Sequence, residues 1–274
     1  MALKIAPDFD VNTQALDTNE TFIRDNLKLQ IVSWAKFRHT INIGNNASNL
    51  YSLAGPIPND VQDAYRELAK SHYEAILSLG SAKLSLIFAA NAPNLQIGNR
   101  PSLLTFQKSM KEFYFHLGCL LDNLARLIYI LNDPDAAIAK DRRGRFIRHR
   151  IDWGDLCRRV ESAPGLFRSY RRLTRSIVVD EILNIRNGFT HGWSCPINIA
   201  TGVPFWPVAL RSKRDYYWPY DEAPKMRTRY KKWVPVMQMA ENDFAYMERF
   251  QNQIFAKLIN SVATFEKTHK LVIR

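Results

Sequence analysis

Long stretches of this chain repeat apolar residues every three or four positions, and this periodicity constrains the fold more than any other feature. Between residues 59 and 90 the apolar positions include Val61, Ala64 and Leu68. Between 102 and 131 apolar residues occupy more than half of a helical circumference. A helix that is apolar around most of its surface is a buried one. The sequence therefore predicts long α-helices, with the helix over 102–131 at the centre of the core.

Clusters of proline, glycine and asparagine divide the chain and set the expected helix ends. A short helix is expected around Leu156, and the long helices are expected at 19–42, 59–90, 102–131, 167–191 and 240–269. Residues 192–237 hold six prolines and four tryptophans, so loops and a short hairpin are expected there. Long helices joined in part by short breaks pack most economically as a bundle.

The expected fold is therefore all-α, a helical bundle. We expect an N-terminal helical extension at 1–55 that packs on a core domain at 56–274. The core domain would carry residues 192–237 as a long, irregular, basic and aromatic insertion before the last helix.

Positive charge is concentrated in two segments of the chain. The net charge is +12. Residues 140–175 hold twelve Lys or Arg against four Asp or Glu, and residues 211–232 hold eight against three. Such a distribution favours a polyanion as partner. Within the first segment, the residues expected to contact RNA are Arg142, Arg143, Arg145, Arg148 and Arg150. The alternative for this run is a solubilising loop.

Several classes of protein are disfavoured by the sequence. The N-terminus has no basic region followed by an apolar stretch, and the most apolar stretch, 117–131, is interrupted by charged residues. A soluble, cytoplasmic protein without membrane contact is therefore expected. The cysteines Cys119, Cys157 and Cys195 form no CxxC pair and are expected to be free thiols. No histidine spacing suggests a metal site, and neither a metal nor a cofactor is expected.

The clearest suggestion of chemistry is the run Arg-Asn-Gly-Phe-Thr-His at 186–191. A histidine can take the proton from a ribose 2′-hydroxyl, and an arginine can stabilise the charge that develops on the phosphate. On a helix, Asp180, Asn184, Asn187 and His191 fall on one side, opposite an apolar stripe of Val178, Ile182, Ile185 and Phe189. That polar side is expected to line a cleft or a subunit interface.

Two features of the run leave its role open. Arg186 and His191 lie about 140° apart around an ideal helix. Gly188 could relax the helix, the arginine could reach around it, or a partner subunit could supply the second residue. Alternatively, both residues are cations at the end of a helix, where they interact favourably with its dipole.

The run resembles the motif of the HEPN superfamily, in which an arginine precedes a histidine by four to six intervening residues and a polar residue commonly follows the arginine. Arg186, Asn187 and His191 match that motif. The resemblance implies an up-and-down helical bundle with the motif near its last helices, and a metal-independent endoribonuclease of toxin, abortive-infection or antiviral-defence type. It also implies His191 as general base, Arg186 as the cation that stabilises the transition state and Asn187 as a positioning residue.

The resemblance further implies a homodimer with a composite active site, cleaving RNA to a 2′,3′-cyclic phosphate and a 5′-hydroxyl. An acidic helper on a neighbouring helix is common in the family, and Asp122, Asp180 and Glu181 are the candidates. Two alternatives stay open: a non-catalytic module that binds nucleic acid or protein through its basic segments, and a chain that pairs with an antitoxin or other regulatory protein.

Overall fold

A computed structural model describes Leu27 and residues 50–52, 59–92, 100–133, 138–163, 165–190, 205–208, 232–268 and 271–273. The described part of the chain is mostly helical, which confirms the all-α expectation. The expected helix over 19–42 lies outside these residues except for Leu27, which is helical and buried.

The α-helices of the described residues follow the periodicity of the sequence closely. In chain order they are α1 (Asn59–Ala90), α2 (Arg100–Asn132), α3 (Trp153–Ser162), α4 (Ile177–Thr190) and α5 (Val236–Thr268). Short 3-10 turns at Ile147–Arg150 and Arg168–Tyr170 lie on either side of α3 in the chain. The expected helices over 59–90 and 102–131 and around Leu156 are therefore confirmed.

Short antiparallel strands accompany the helices. Strand β1 (Leu50–Ser52) pairs with β4 (Leu271–Ile273), so the chain just before α1 is joined to the chain just after α5. Strand β2 (Phe205–Val208) pairs with β3 (Lys232–Pro235), with Phe205 opposite Pro235. The second pair lies inside the insertion 192–237, where a short hairpin was expected, and β3 leads directly into α5.

Helix α2 forms the centre of the bundle. It packs most extensively against α1, and α3, α4 and α5 also pack against it. From Leu117 to Leu131 most of its side chains are fully buried, as expected for a helix that is apolar around most of its circumference. Asp122 and Arg126 are half-buried within this stretch, and Asp122 lies where α3 and α4 meet α2.

The start of α4 differs from the expected position. The helix begins at Ile177 rather than near residue 167, because Ser176 caps it: the Ser176 hydroxyl accepts a hydrogen bond from the Val179 N–H at 3.3 Å. Phe167 and Tyr170 are buried three residues apart, but Tyr170 ends a 3-10 turn that begins directly after Phe167. Helix α5 begins at Val236, four residues before the expected position.

Helix α1 is long and apolar enough to cross a membrane by length and composition alone. Half of its most apolar stretch is buried inside the bundle, and buried core helices meet the same criterion. Of the three cysteines, Cys119 and Cys157 are free thiols, as expected, and Cys195 lies outside the described residues.

Candidate functional site

Helix α4 presents one apolar side to the core and one polar side to its surroundings. Val179, Ile182, Ile185 and Phe189 are buried, with Val179 rather than the expected Val178 beginning the apolar stripe. On the other side Asp180 and Asn184 are half-buried and Asn187 is exposed. The polar side of α4 is therefore accessible up to the last turn of the helix.

Arg186 lies at the edge of the apolar side of α4, about 100° around the helix from Asn187, and its side chain lies across α2. Its Nη1 forms an ion pair with Asp122 Oδ2 at 3.3 Å, and the two side chains are 27% and 26% exposed. The guanidinium passes over Gly118, one turn before Asp122 on α2. A Cβ atom at Gly118 would overlap Arg186 Cδ and lie 2.6 Å from Nη1 and 3.0 Å from Nε. The absence of a side chain at Gly118 thus allows the arginine to take this path.

Asp122 connects three helices. Its Oδ1 accepts a hydrogen bond from the Trp153 backbone N–H at 3.1 Å, which satisfies a free donor in the first turn of α3. Its Oδ2 binds Arg186 of α4. Burial raises the pKa of the Asp122 carboxyl above its usual range, while the Trp153 N–H and the Arg186 charge oppose this shift. The position of Arg186 is therefore coupled to the charge of a single, partly desolvated carboxylate.

Asn187 holds the other edge of the guanidinium. Its Oδ1 lies 3.4 Å from both Nε and Nη2 of Arg186, which are long hydrogen bonds. At the end of α4, the Thr190 hydroxyl donates to the Arg186 carbonyl oxygen at 3.0 Å. The guanidinium thus has Asp122 on one edge and Asn187 on another, and part of its surface remains open to solvent.

His191 lies outside the described residues and directly follows the last residue of α4. Of the three acidic candidates, it is Asp122 that the structure brings to Arg186. Asp180 lies on the polar side of α4, and the charge of Glu181 contributes to raising the pKa of Asp243 on α5.

Two neighbours of the ion pair had no role assigned from the sequence. Arg126 lies one turn after Asp122 on α2; its Nη1 donates to Asn123 Oδ1 at 3.2 Å, and its buried Nε has no hydrogen-bond partner among the described residues. Cys119 is half-buried, and burial together with the Asp122 charge raises the pKa of its thiol. That shift disfavours a thiolate, so Cys119 is not a candidate nucleophile.

The arginine-rich run around residue 142 is organised by Asp141. This carboxylate accepts hydrogen bonds from the backbone N–H groups of Arg143 and Arg145 at 2.8 and 3.0 Å. It also pairs with the guanidinium groups of Arg145 and Arg150 at 3.2 and 3.1 Å. These backbone hydrogen bonds and neighbouring cations lower the pKa of the Asp141 carboxyl. Asp141 therefore orders the turn and pairs with two of its arginines, while the run as a whole keeps a positive balance.

Arg148 does not reach the surface. It is fully buried, and its guanidinium stacks 3.6 Å from the ring centroid of Phe146. The carboxylates of Asp63 and Glu67 on α1 stabilise its charge against the cost of burial. Among the arginines expected to contact RNA, only Arg148 is buried, and a buried guanidinium cannot contact RNA in this arrangement. Arg142, Arg143, Arg145 and Arg150 are exposed.

Another arginine and histidine at a similar spacing, Arg66 and His72, do not share a site. Arg66 is exposed and pairs with Asp63, whereas His72 is buried against the ring of Phe255. Spacing alone therefore does not bring two such side chains together. Within the described ranges, no group of three or more His, Cys, Asp or Glu side chains is arranged to hold a metal ion.

Comparisons with known proteins give no relative for this chain. No family model matches it, and neither a curated protein nor a solved structure matches it.

Proposed function

We propose that this protein is a metal-independent endoribonuclease of the HEPN type. The His191 imidazole would remove the proton from a ribose 2′-hydroxyl, and the 2′-oxygen would then form a bond to the adjacent phosphorus. The bond from phosphorus to the 5′-oxygen breaks, and that oxygen leaves as a hydroxyl after taking up a proton. The products are a 2′,3′-cyclic phosphate and a 5′-hydroxyl.

Arg186 would stabilise the negative charge that builds on the phosphate oxygens. The observation that carries the proposal is its environment: a half-buried guanidinium, held by Asp122 on one edge, approached by Asn187 on another, and still partly open to solvent. A cation fixed in a partly desolvated site acts more strongly on a developing charge than a mobile surface cation does. Asp122 is the positioning residue in this scheme, and Asn187 orients the guanidinium or contacts substrate.

The accessible polar side of α4 supports a homodimer as the active form. Asn184 and Asn187 are polar without being charged, which suits an interface better than a plain solvated surface. Two copies of α4 facing each other would bring two sets of Arg186 and His191 into one composite site. This arrangement would also remove the difficulty that an arginine and a histidine five positions apart point in different directions from one helix.

The test is RNA cleavage in the presence of EDTA by wild type, Arg186→Ala and His191→Ala, with analysis of the product ends. His116→Ala is the matched control, because His116 is a half-buried histidine on α2 that the mechanism does not use. We expect wild type and the control to leave 2′,3′-cyclic phosphate ends, and both motif variants to be inactive while folded. Cleavage that survives His191→Ala would refute the assigned general base, and cleavage abolished by EDTA would refute the metal-independent mechanism.

A second candidate is a nucleic-acid-binding helical module without turnover. The observation that favours it is the Asp122–Arg186 ion pair itself, because Arg186 could simply join α4 to α2. In that case wild type would bind RNA in a salt-dependent manner without cleaving it, and Arg186→Ala would lower thermal stability. The same three proteins therefore separate the two candidates.

A further inference from the structure

The chain from Phe167 to Ser176, which leads into α4, forms an anchored surface segment. Phe167 and Tyr170 are each only 1% exposed, and Thr174 is buried as well. The Thr174 carbonyl oxygen accepts a hydrogen bond from the Cys157 thiol at 3.5 Å, and the Ser176 hydroxyl lies 2.6 Å from the Tyr246 hydroxyl on α5. The backbone from Phe167 to Ser176 is therefore anchored at four positions.

Between these anchors the segment displays four arginines, which we name the arginine connector: Arg168, Arg171, Arg172 and Arg175. All four are exposed. None of their side chains forms an ion pair or a hydrogen bond with any described residue, and residues 163–176 include no Asp or Glu. The run around Asp141 differs in part, because there two of the four exposed arginines, Arg145 and Arg150, pair with one carboxylate.

An unbalanced set of guanidinium groups on a fixed backbone suits a ligand with repeated phosphates. Arginine binds phosphate through two parallel hydrogen bonds, and all four cations here are arginines rather than lysines. Because the backbone is already ordered, less entropy is lost on binding than for a flexible basic loop.

We propose that the arginine connector binds the phosphate backbone of single-stranded RNA. This inference rests on the proposed function for the identity of the ligand. Arg186 lies nine residues after the start of α4, so the connector lies about 14 Å from it along the helix axis. A stacked strand advances about 3.4 Å per nucleotide, so roughly four nucleotides would separate the bound phosphates from the scissile one. The connector would then hold the RNA beside the cleavage site.

The test compares two variants that lose the same charge. The first variant has glutamine at the four connector positions Arg168, Arg171, Arg172 and Arg175. The second variant has glutamine at four exposed arginines of the run around Asp141, namely Arg142, Arg143, Arg145 and Arg150. Affinity for a 20-nucleotide 2′-O-methyl RNA, which cannot be cleaved by 2′-oxygen attack, is measured between 50 and 300 mM salt. The affinity falls as salt rises, and each phosphate that the protein no longer neutralises reduces the steepness of log affinity against log salt by about 0.7. Losing four such phosphates predicts roughly 100-fold weaker binding near 0.15 M salt.

A loss of RNA affinity of about that size in the first variant, with a clearly smaller loss of affinity in the second, would support the connector as the RNA site. Equal reductions would overturn it, because binding would then follow total charge alone, and so would unchanged RNA binding. If the first variant had a lower affinity only for phosphatidylserine vesicles, the exposed Leu166 and Ile177 would belong to a lipid-binding surface and the proposal would fail. The double variant Arg171→Gln/Arg172→Gln, expected to show about half of that slope change, serves if the fourfold variant does not fold.

These readouts are independent of turnover. Binding that depends on the connector in a protein that never cleaves RNA would refute the nuclease and leave the connector intact. Cleavage by wild type, together with connector variants that bind normally, would refute the connector and leave the nuclease intact. In an active enzyme, the first variant should raise KM for long RNA while kcat stays near the wild-type value.

Discussion

Replacing Gly118 by alanine should disable RNA cleavage without weakening the fold. The added Cβ would overlap Arg186 Cδ and lie 2.6 Å from Nη1, whereas ordinary van der Waals separations begin near 3.5 Å. The guanidinium would therefore have to retreat by about 0.9 Å and lose its alignment with Asp122. A misplacement of about 1 Å in a catalytic group can cost on the order of 100-fold in rate, and we expect a decrease of that size in kcat.

Stability should respond in the opposite direction. The atoms that meet the new methyl group belong to the partly exposed Arg186 side chain, so the cost is confined to a weakened ion pair with Asp122, roughly 0–1 kcal/mol. Alanine inside a helix is favoured over glycine by roughly 0.5–1 kcal/mol. The free energy of unfolding of Gly118→Ala should therefore equal or exceed that of wild type, although its activity falls.

The assay is single-turnover cleavage of a labelled RNA in EDTA, together with thermal unfolding of each protein. Gly165→Ala is the matched control, because a Cβ atom there meets nothing within 4 Å. The cleavage rate of Arg186→Ala gives the activity that remains when the guanidinium is absent. If Gly118→Ala cleaved RNA at the wild-type rate while Arg186→Ala did not, the path of Arg186 over Gly118 would be irrelevant to catalysis and our account of the site would be wrong.

Further predictions concern charge, pH and assembly. Cleavage should decline as the pH falls through the raised pKa of Asp122, in addition to the decline that protonation of the general base His191 causes. Asp122→Asn should cleave more slowly near neutrality, and its pH–rate profile should keep only the decline caused by the general base. Asp243, buried and hydrogen-bonded by Tyr114, has its pKa raised from 3.8 to about 7, so the folded chain holds this proton more tightly than the unfolded chain does. Its stabilising effect is complete below about pH 4 and is lost as the pH rises through about 7. Chemical unfolding should therefore show Asp243→Asn to be more stable than wild type at pH 8, by on the order of 4 kcal/mol, with no difference near pH 4. Mixing inactive Arg186→Ala with inactive His191→Ala should restore cleavage if the active site is composite, and a mixture that stays inactive although mixed dimers form would contradict it.

The long helices could be predicted from the sequence because each is a periodic apolar stretch that ends at residues unable to continue it. Asn59 begins α1 at the expected position, and the end of α2 falls at Asn132, one residue past the expected end. The start of α4 was missed because Phe167 and Tyr170 have the spacing of a helical stripe. The capping signal of Ser176 was present in the sequence, but residue type alone does not distinguish a cap from a serine inside a helix.

The role of the arginine-rich run could be predicted only in part. The excess of positive charge is visible in the sequence, whereas the contacts of each cation, and whether it is exposed, depend on the folded structure. Asp141 pairs locally with both Arg145 and Arg150, and Arg148 is buried on Phe146 near the carboxylates of α1. Identical residue types only two positions apart, such as Arg148 and Arg150, therefore differ completely in exposure.

The environment of Arg186 shows why a short motif carries so little information on its own. Asp122 lies 64 positions away and was one of three acidic candidates, and nothing in its local sequence separates it from the other two. Nothing in the sequence of α2 distinguishes Gly118 from any other glycine in a helix, and its role arises only where α4 packs against α2. Both positions acquire their roles from one helix crossing, where the glycine admits the guanidinium and the carboxylate holds it. A loss of cleavage in Gly118→Ala would mean that this crossing orients the arginine for chemistry. Retained cleavage in that variant would mean that the crossing only joins the two helices, and the cation that serves the phosphate would have to be sought elsewhere.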